Sequence, residues 1–284
     1  MKTRILTTLT TLTLAILPFL MGIPLGKHSP YAEGNSMQTY LIIWVIISIA
    51  LVSGINLFTK YSFKSFGILL FLLACPIIGI IGLAAPPDLS LKMLEYPERE
   101  HVRYIILFIA ALLFGASALF LFRNNTLAMK KTTKSIITLF LILAFCEFIW
   151  EFTHHYLFPD ALKEWVTQGR NADEFTKHYD DATVINIGVL GRLIQFSLII
   201  WLSLTLYRLR QIKIWNPIIT VLFGVLGIVS ALVICATQMN IPKGFEILFL
   251  FFIPGMPFLL MYWLGVAVLT KLKVSEVGTQ QNQS

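Results

Sequence analysis

Residues 214–242 read IWNPIITVLFGVLGIVSALVICATQMNIP and contain no Asp, Glu, Lys or Arg. About 20 apolar residues in a helix cross the hydrocarbon core of a bilayer, so this run is long enough for a transmembrane helix. The whole chain of 284 residues has the same character, because 57% of its residues are hydrophobic and 13% are charged. Ordinary soluble domains have roughly 45–50% and about 25%. The composition therefore predicts an integral membrane protein without a separate soluble domain.

Eight apolar runs follow one another along the sequence, and most of them lack charged residues throughout. Helices satisfy their own backbone hydrogen bonds in lipid, and no run alternates apolar and polar residues as barrel strands do. We therefore predict an all-α polytopic membrane bundle that forms one transmembrane domain over residues 1–284. The predicted spans are about 5–26, 38–59, 65–87, 104–122, 135–157, 183–207, 215–239 and 245–270.

Lysine and arginine are distributed unevenly between the two sets of loops. The terminal segments and every second loop hold most of them with one acidic residue, Glu276, whereas the opposite loops are acidic overall. Because basic loops remain in the cytoplasm, both termini are predicted to be cytoplasmic. The predicted location of the protein is the plasma (inner) membrane. Lys2 and Arg4 also suit a signal peptide, but no A-x-A-like cleavage site follows the first run. The net charge of +7 thus reflects topology, and no basic patch indicates nucleic acid.

Four ionisable side chains lie along one face of the fifth run. Glu147, Glu151, His154 and His155 occupy an arc of about 100° on a helix of 3.6 residues per turn. Charged side chains near the centre of a bilayer cost roughly 2.5–3.5 kcal/mol each on insertion scales, so they indicate function by default. This face is therefore the predicted site.

The sixth run returns from the same outer surface and carries Arg192 at a depth of about 14 Å. Glu147 and Glu151 bracket that depth on the preceding span, and Gly188 and Gly191 would let the two helices approach closely. We predict that Arg192 pairs with Glu147 or Glu151. Gln195 and Ser203 are predicted to share the face of Arg192. The further polar groups expected at similar depth are Gln238, Asn240, Glu246, His101 and Arg103.

The cluster allows three interpretations: a salt bridge that only holds helices together, a cavity open to water, and a metal centre. A salt bridge that only holds helices together needs one carboxylate, whereas this face supplies two carboxylates and two imidazoles, which favours a cavity open to water on the outer side. Glu151-x-x-His154 also has the i, i+3 spacing of carboxylate-bridged metal centres, which makes these two residues candidate metal ligands. Further ligands would come from His155, His178, Asp180 or Asp181.

The segments around this face carry two other signals. Residues 158–182 are predicted as an outer loop, which is either a solvated connector or a lid lying on the membrane, formed by short helices over 160–168 and 173–179. Pro76, Pro254 and Pro257 lie inside predicted spans, and proline there predicts kinks or local unwinding.

Three functions fit the pattern, and the first is favoured. In a membrane enzyme acting on a lipid or isoprenoid-like substrate, Glu147 or Glu151 would be the general acid or base. His154 or His155 would be its partner, and Arg192 would hold a phosphate or carboxylate, or stabilise developing negative charge. In a small-solute or proton-coupled transporter the same groups would relay protons. In a non-catalytic membrane component that responds to pH, His154, His155 and His178 would titrate. The expected partners are the bilayer and a lipid or small-molecule ligand, and the sequence identifies no cofactor.

Overall fold

The computed structural model describes residues 8–9, 12–19, 38–39, 42–43, 45–46, 77–79, 91–123 and 130–281. Helices and turns, and no strands, make up this part of the chain, in agreement with the predicted all-α class. The predicted spans 5–26, 38–59 and 65–87 lie mostly outside the described residues, and Pro76 lies outside them entirely.

From residue 91 onward the described elements are two 3-10 turns, Leu91–Glu95 and Ala172–Glu174, and a series of α-helices. The helices are α1 (Glu98–Arg123), α2 (Lys131–Thr167), α3 (Phe175–Tyr179), α4 (Ala182–Arg208), α5 (Trp215–Thr237), α6 (Leu248–Phe252) and α7 (Gly255–Gln281). Of the described helices, α2, α4 and α5 are long and apolar enough to cross a membrane. α2 and α4 contain the predicted spans 135–157 and 183–207, and α5 ends two residues before the end of the predicted span 215–239.

The long helices pack around an aromatic core. α1 packs against α2, α2 against α4 and α4 against α5, while α7 lies against α4 and α5. The ring of Phe148 stacks on that of Phe258 with 5.0 Å between centroids, and it meets Phe114 edge-on at 5.6 Å. Phe148 follows Glu147 directly in the sequence. The core therefore fixes the rotation at which the acidic face of α2 meets α4.

α5 contacts α4 through small residues. A Cβ added at Gly227 would overlap the ring of Phe196, and one added at Gly224 would lie 2.7 Å from a terminal carbon of Ile200. Helices surrounded by lipid gain little hydrophobic energy from each other, so close van der Waals contact through small residues holds them together. The opposite face of α5 exposes large aliphatic side chains such as Leu222, as expected of a surface that faces lipid.

α2 is longer than the predicted span, because it continues through Pro159 to the end given above. The beginning of the predicted outer loop 158–182 is therefore part of the same helix. Proline inside a helix removes one backbone donor and its ring crowds the carbonyl four residues earlier, at a cost of about 3 kcal/mol. Side chains on both sides of it are buried in a small separate core, which stabilises the extension; this core comprises Met93, Phe158, Leu162 and Phe175. The rest of the predicted loop, residues 168–181, is the connector between α2 and α4, and it contains the 3-10 turn Ala172–Glu174 and α3. Its role as a lid stays a prediction.

The last predicted span is interrupted, which confirms the break predicted at Pro254. Ile253 is extended there and separates α6 from α7. Pro257 has no N–H to donate to the Ile253 carbonyl, and Met256 N–H donates to that carbonyl instead, at 3.2 Å. Met256 would otherwise bond the carbonyl of Phe252 in a continuous helix. The break therefore leaves the Phe252 carbonyl free for another partner.

Candidate functional site

The guanidinium group of Arg192 is fully buried where α2, α4 and α6 meet, and each of its nitrogens has a protein partner. Nε donates to the freed carbonyl of Phe252 at 2.5 Å, one terminal nitrogen donates to Gln195 Oε1 at 2.7 Å, and the other donates to Glu151 Oε1. Glu147 Oε1 forms an ion pair with the first terminal nitrogen at 3.6 Å. The predicted pairing of Arg192 with Glu147 or Glu151 is confirmed, and both carboxyl groups take part.

Gln195 connects the two halves of this cluster. Its amide oxygen accepts from Arg192, and its amide nitrogen donates to Glu147 Oε2, so one side chain fixes both the cation and the deeper carboxyl group. Gly191 makes room for the arrangement, because a Cβ at that position would overlap the carboxyl group of Glu147. At Gly188 the nearest atom would be 3.5 Å away, an ordinary contact. The close approach predicted for this pair of glycines therefore occurs at Gly191.

Two carboxyl groups share a single guanidinium group in this site. Glu147 Oε1 and Glu151 Oε2 are buried and accept no hydrogen bond from any described protein group. If both carboxyl groups were ionised, the cluster would carry one negative charge in excess, and an uncompensated buried charge costs several kcal/mol. One bound proton removes that charge. The arrangement can therefore hold one proton on its pair of carboxyl groups.

His154 binds the connector that precedes α4. Its Nε2 lies 2.8 Å from Asp180 Oδ1, and its ring stacks on Tyr179 with 4.3 Å between centroids. The Tyr179 hydroxyl donates to the His154 backbone carbonyl at 2.8 Å. The pKa of Tyr179 is raised to about 12, because burial and the charge of Asp180 both disfavour the phenolate. The imidazole that was a candidate catalytic base is thus held in a carboxylate–imidazole pair.

Asp180 is positioned by the residues on either side of it. Tyr179 is tied to α2, and Asp181 caps α4 by accepting from the backbone N–H groups of Thr183 and Val184 at 2.8 and 3.0 Å. A carboxylate at a helix N-cap satisfies donors that have no partner inside the helix. The backbone of Asp180 therefore has little freedom, and its side chain is directed at His154.

His155 lies between these two groups of contacts. Its ring stacks on Tyr104 of α1 with 5.5 Å between centroids and meets the His154 ring edge-on at 5.4 Å. Glu151 and Asp180 both lie within electrostatic range of it. No hydrogen bond between described residues joins either imidazole to Glu147, Glu151 or Arg192. The predicted site residues thus form a carboxylate–guanidinium cluster and, one helical turn farther along α2, a histidine cluster.

The geometry does not support a metal centre in the described part of the chain. No group of three or more His, Cys, Asp or Glu side chains is arranged there to hold a metal ion. Glu151 is bonded to Arg192 and His154 to Asp180, so the two candidate ligands face different partners. The other polar groups expected on the face of Arg192 or at its depth form separate contacts: Ser203 with Asn216, Glu246 with Gly244, Asn240 with Gln238, His101 with Asp160 and Arg103 with Glu100.

Two elements of the site could not be read from the spacing of ionisable residues. The Phe252 carbonyl is a backbone group, and only the proline pair that frees it was visible in the sequence. Asp180 appeared as a metal-ligand candidate, while its pairing with His154 depends on the fold of the connector. No protein-family model, curated protein or solved structure matches this chain.

Proposed function

We propose that the chain is a multi-pass membrane protein with eight transmembrane helices and both termini in the cytoplasm, located in the plasma (inner) membrane. Three described helices long enough to span a bilayer and the uneven distribution of basic residues support this topology. A fluorescent protein fused to either terminus is expected to fluoresce, and alkaline phosphatase fused there is expected to be inactive. Active alkaline phosphatase at either terminus would contradict the topology.

Within this topology, we propose an integral-membrane enzyme that acts on a lipid or isoprenoid-like substrate by acid–base chemistry. The observation that carries the proposal is the pair of buried carboxyl groups that share Arg192. Glu151 is the proposed general acid and base, because Arg192 holds one of its oxygens and the other accepts no hydrogen bond from a described group. A positioned carboxyl group of this kind accelerates proton transfer typically 10²–10⁴-fold.

Arg192 has a different part in this proposal from the one expected from the sequence. Its nitrogens already bond Phe252, Gln195 and Glu151, so it positions the carboxyl groups and balances their charge instead of holding a substrate phosphate. Glu147 is the second carboxyl group, with which Glu151 shares the proton. His154 and His155 are the proposed partner bases on the outer side of the pair.

The substrate class follows from the position of the site. The carboxyl pair lies within α2, at the predicted depth of about half a span, and no soluble domain is expected to present a water-soluble substrate there. A molecule that dissolves in the bilayer reaches this depth without a pore. The proposal therefore concerns a lipid-soluble substrate with a group that gains or loses a proton in the reaction.

The test compares lipids after purified protein is incubated in nanodiscs with a total lipid extract. Wild type and Glu164→Gln are expected to produce the same new lipid species, because Glu164 is exposed at the far end of α2. Glu151→Gln is expected to lower product formation by about 10²-fold or more, the usual effect of losing a general acid or base. Equal product formation by Glu151→Gln would contradict the proposal.

A proton-coupled transporter is the second candidate, and the break between α6 and α7 is the observation that favours it. Discontinuous helices in transporters direct free backbone carbonyls at bound cations, and here the carbonyl of Phe252 contacts Arg192. Proteoliposomes with a pH gradient and an internal pH dye distinguish the two functions. Proton flux that Glu151→Gln abolishes, without new lipid products, would favour transport.

A further inference from the structure

Along α2 and into the connector, Glu147, Glu151, His154 and Asp180 become more exposed in the order in which they follow one another in the sequence, and Arg192 is fully buried beside the first two. The exposed fraction of the side chain is 0% for Arg192, 7% for Glu147, 12% for Glu151, 15% for His154 and 26% for Asp180. A row of titratable groups that leads from a closed cluster to a partly exposed carboxylate is the arrangement required for proton entry.

From this order we infer that Asp180 and His154 form the outer entrance of a proton path that loads Glu151. The inference rests on the proposed function, since it supplies the proton that the carboxyl pair would use. The groups that face the path are Glu151 and His155 on α2, Asp180 and Tyr179 on the connector, and Tyr104 on α1.

Each transfer moves one proton and needs no other reactant. Asp180 takes a proton from outer water and passes it to His154 Nε2, and the imidazolium, stabilised by the Asp180 carboxylate, then releases the proton held at Nδ1. His155, whose ring meets that of His154 at 5.4 Å, passes a proton on in the same way. The Glu151 carboxylate receives it and becomes a neutral carboxyl group. Glu151 and His155 are four residues apart on α2, so their side chains are neighbours.

Asp180 is well suited to be the fixed end of this path. It lies between Tyr179, which is bonded to the His154 backbone, and Asp181, which caps α4. Asp181 caps α4, so the carboxylate of Asp180 is left to make the 2.8 Å contact with His154. In the connector, Tyr179 therefore bonds the His154 backbone, Asp180 contacts the His154 ring and Asp181 caps α4.

The experiment measures the rate of hydrogen–deuterium exchange at a protonated carboxyl group by infrared spectroscopy of the full chain in nanodiscs. The C=O stretching band is assigned by its loss in Glu151→Gln or Glu147→Gln. His154→Gln and Asp180→Asn are expected to slow exchange about 10-fold or more, because positioned acid–base groups accelerate proton transfer typically 10²–10⁴-fold. His178→Gln is the matched control, because His178 is an exposed histidine of the same connector, and its exchange rate is expected to equal that of wild type.

Unchanged exchange in both His154→Gln and Asp180→Asn would overturn the proton path, and so would the absence of a protonated carboxyl band in wild type. Circular dichroism identifies a variant that has lost its helices, and Asp180→Glu, which keeps the carboxylate, is expected to restore rapid exchange. Slow exchange in Asp180→Glu with intact helices would also count against the path. If exchange follows the expected order but no lipid product forms, the proton path stands and the enzymatic proposal fails.

Discussion

Removing Arg192 and removing its carboxyl partners are expected to have unequal effects on stability. Arg192→Met leaves two carboxyl groups facing each other without a cation, and loss of one partner from a buried ion pair costs about 3–5 kcal/mol. Glu151→Gln loses a hydrogen bond between charged groups, which costs about 1.5–3 kcal/mol. Glu147→Gln removes the surplus carboxyl group and leaves one carboxylate with one guanidinium, so we expect a cost below about 1 kcal/mol.

The assay is equilibrium unfolding in mixed micelles, which gives the free energy of unfolding of each variant. Arg208→Met is the control for removing an arginine from α4, because Arg208 is exposed at the end of that helix and its replacement should change stability by about 0.5 kcal/mol or less. The triple variant Glu147→Gln, Glu151→Gln and Arg192→Met should be more stable than Arg192→Met alone, since it has no unpaired charge. If Glu147→Gln costs as much as Arg192→Met, the shared-cation interpretation is wrong.

Two further predictions concern the supports of the site. Gly191→Ala should destabilise the protein by about 1–3 kcal/mol, since the added carbon overlaps Glu147, whereas Gly188→Ala should be nearly neutral. Thermal unfolding compares the two variants, and equal effects would refute the close contact at Gly191. Tyr179→Phe should cost about 0.5–1.5 kcal/mol by losing the bond to the His154 carbonyl. The Tyr179 pKa is raised from 10.0 to about 12 in the folded state, so its stabilising effect is complete below pH 10 and is lost as the pH rises through 12. Unfolding measured against pH should show this loss in wild type and not in Tyr179→Phe, and identical alkaline profiles would contradict it.

The pairing of Arg192 could be predicted because helix geometry converts sequence position into depth. Glu147 and Glu151 lie one turn apart, and the hairpin of α2 and α4 brings them level with Arg192, so spacing alone was sufficient. Gln195 shared the predicted face of Arg192, although its bond to Glu147 was not anticipated. Helical class and pairing depend on local periodicity and on the order of helices, which is why both could be inferred from the sequence.

The remaining contacts depend on tertiary structure that the spacing does not encode. The carbonyl of Phe252 contacts Arg192 only because α6 ends against α4, 60 residues farther along the chain. His154 and Asp180 are separated by 26 residues, and the connector between them had no predicted path. α2 continues beyond Pro159 because a separate core holds its outer end, so packing overrides the expected end of the helix.

The central claim is that Glu147 and Glu151 share Arg192 and hold one proton between them. Infrared spectroscopy of the wild-type protein in nanodiscs at neutral pH tests this claim most directly. We expect the C=O band of one neutral carboxyl group, and its loss in both Glu147→Gln and Glu151→Gln, since either variant leaves a balanced pair with Arg192. A wild-type spectrum without a neutral carboxyl band, or a band that survives in both variants, would contradict the claim.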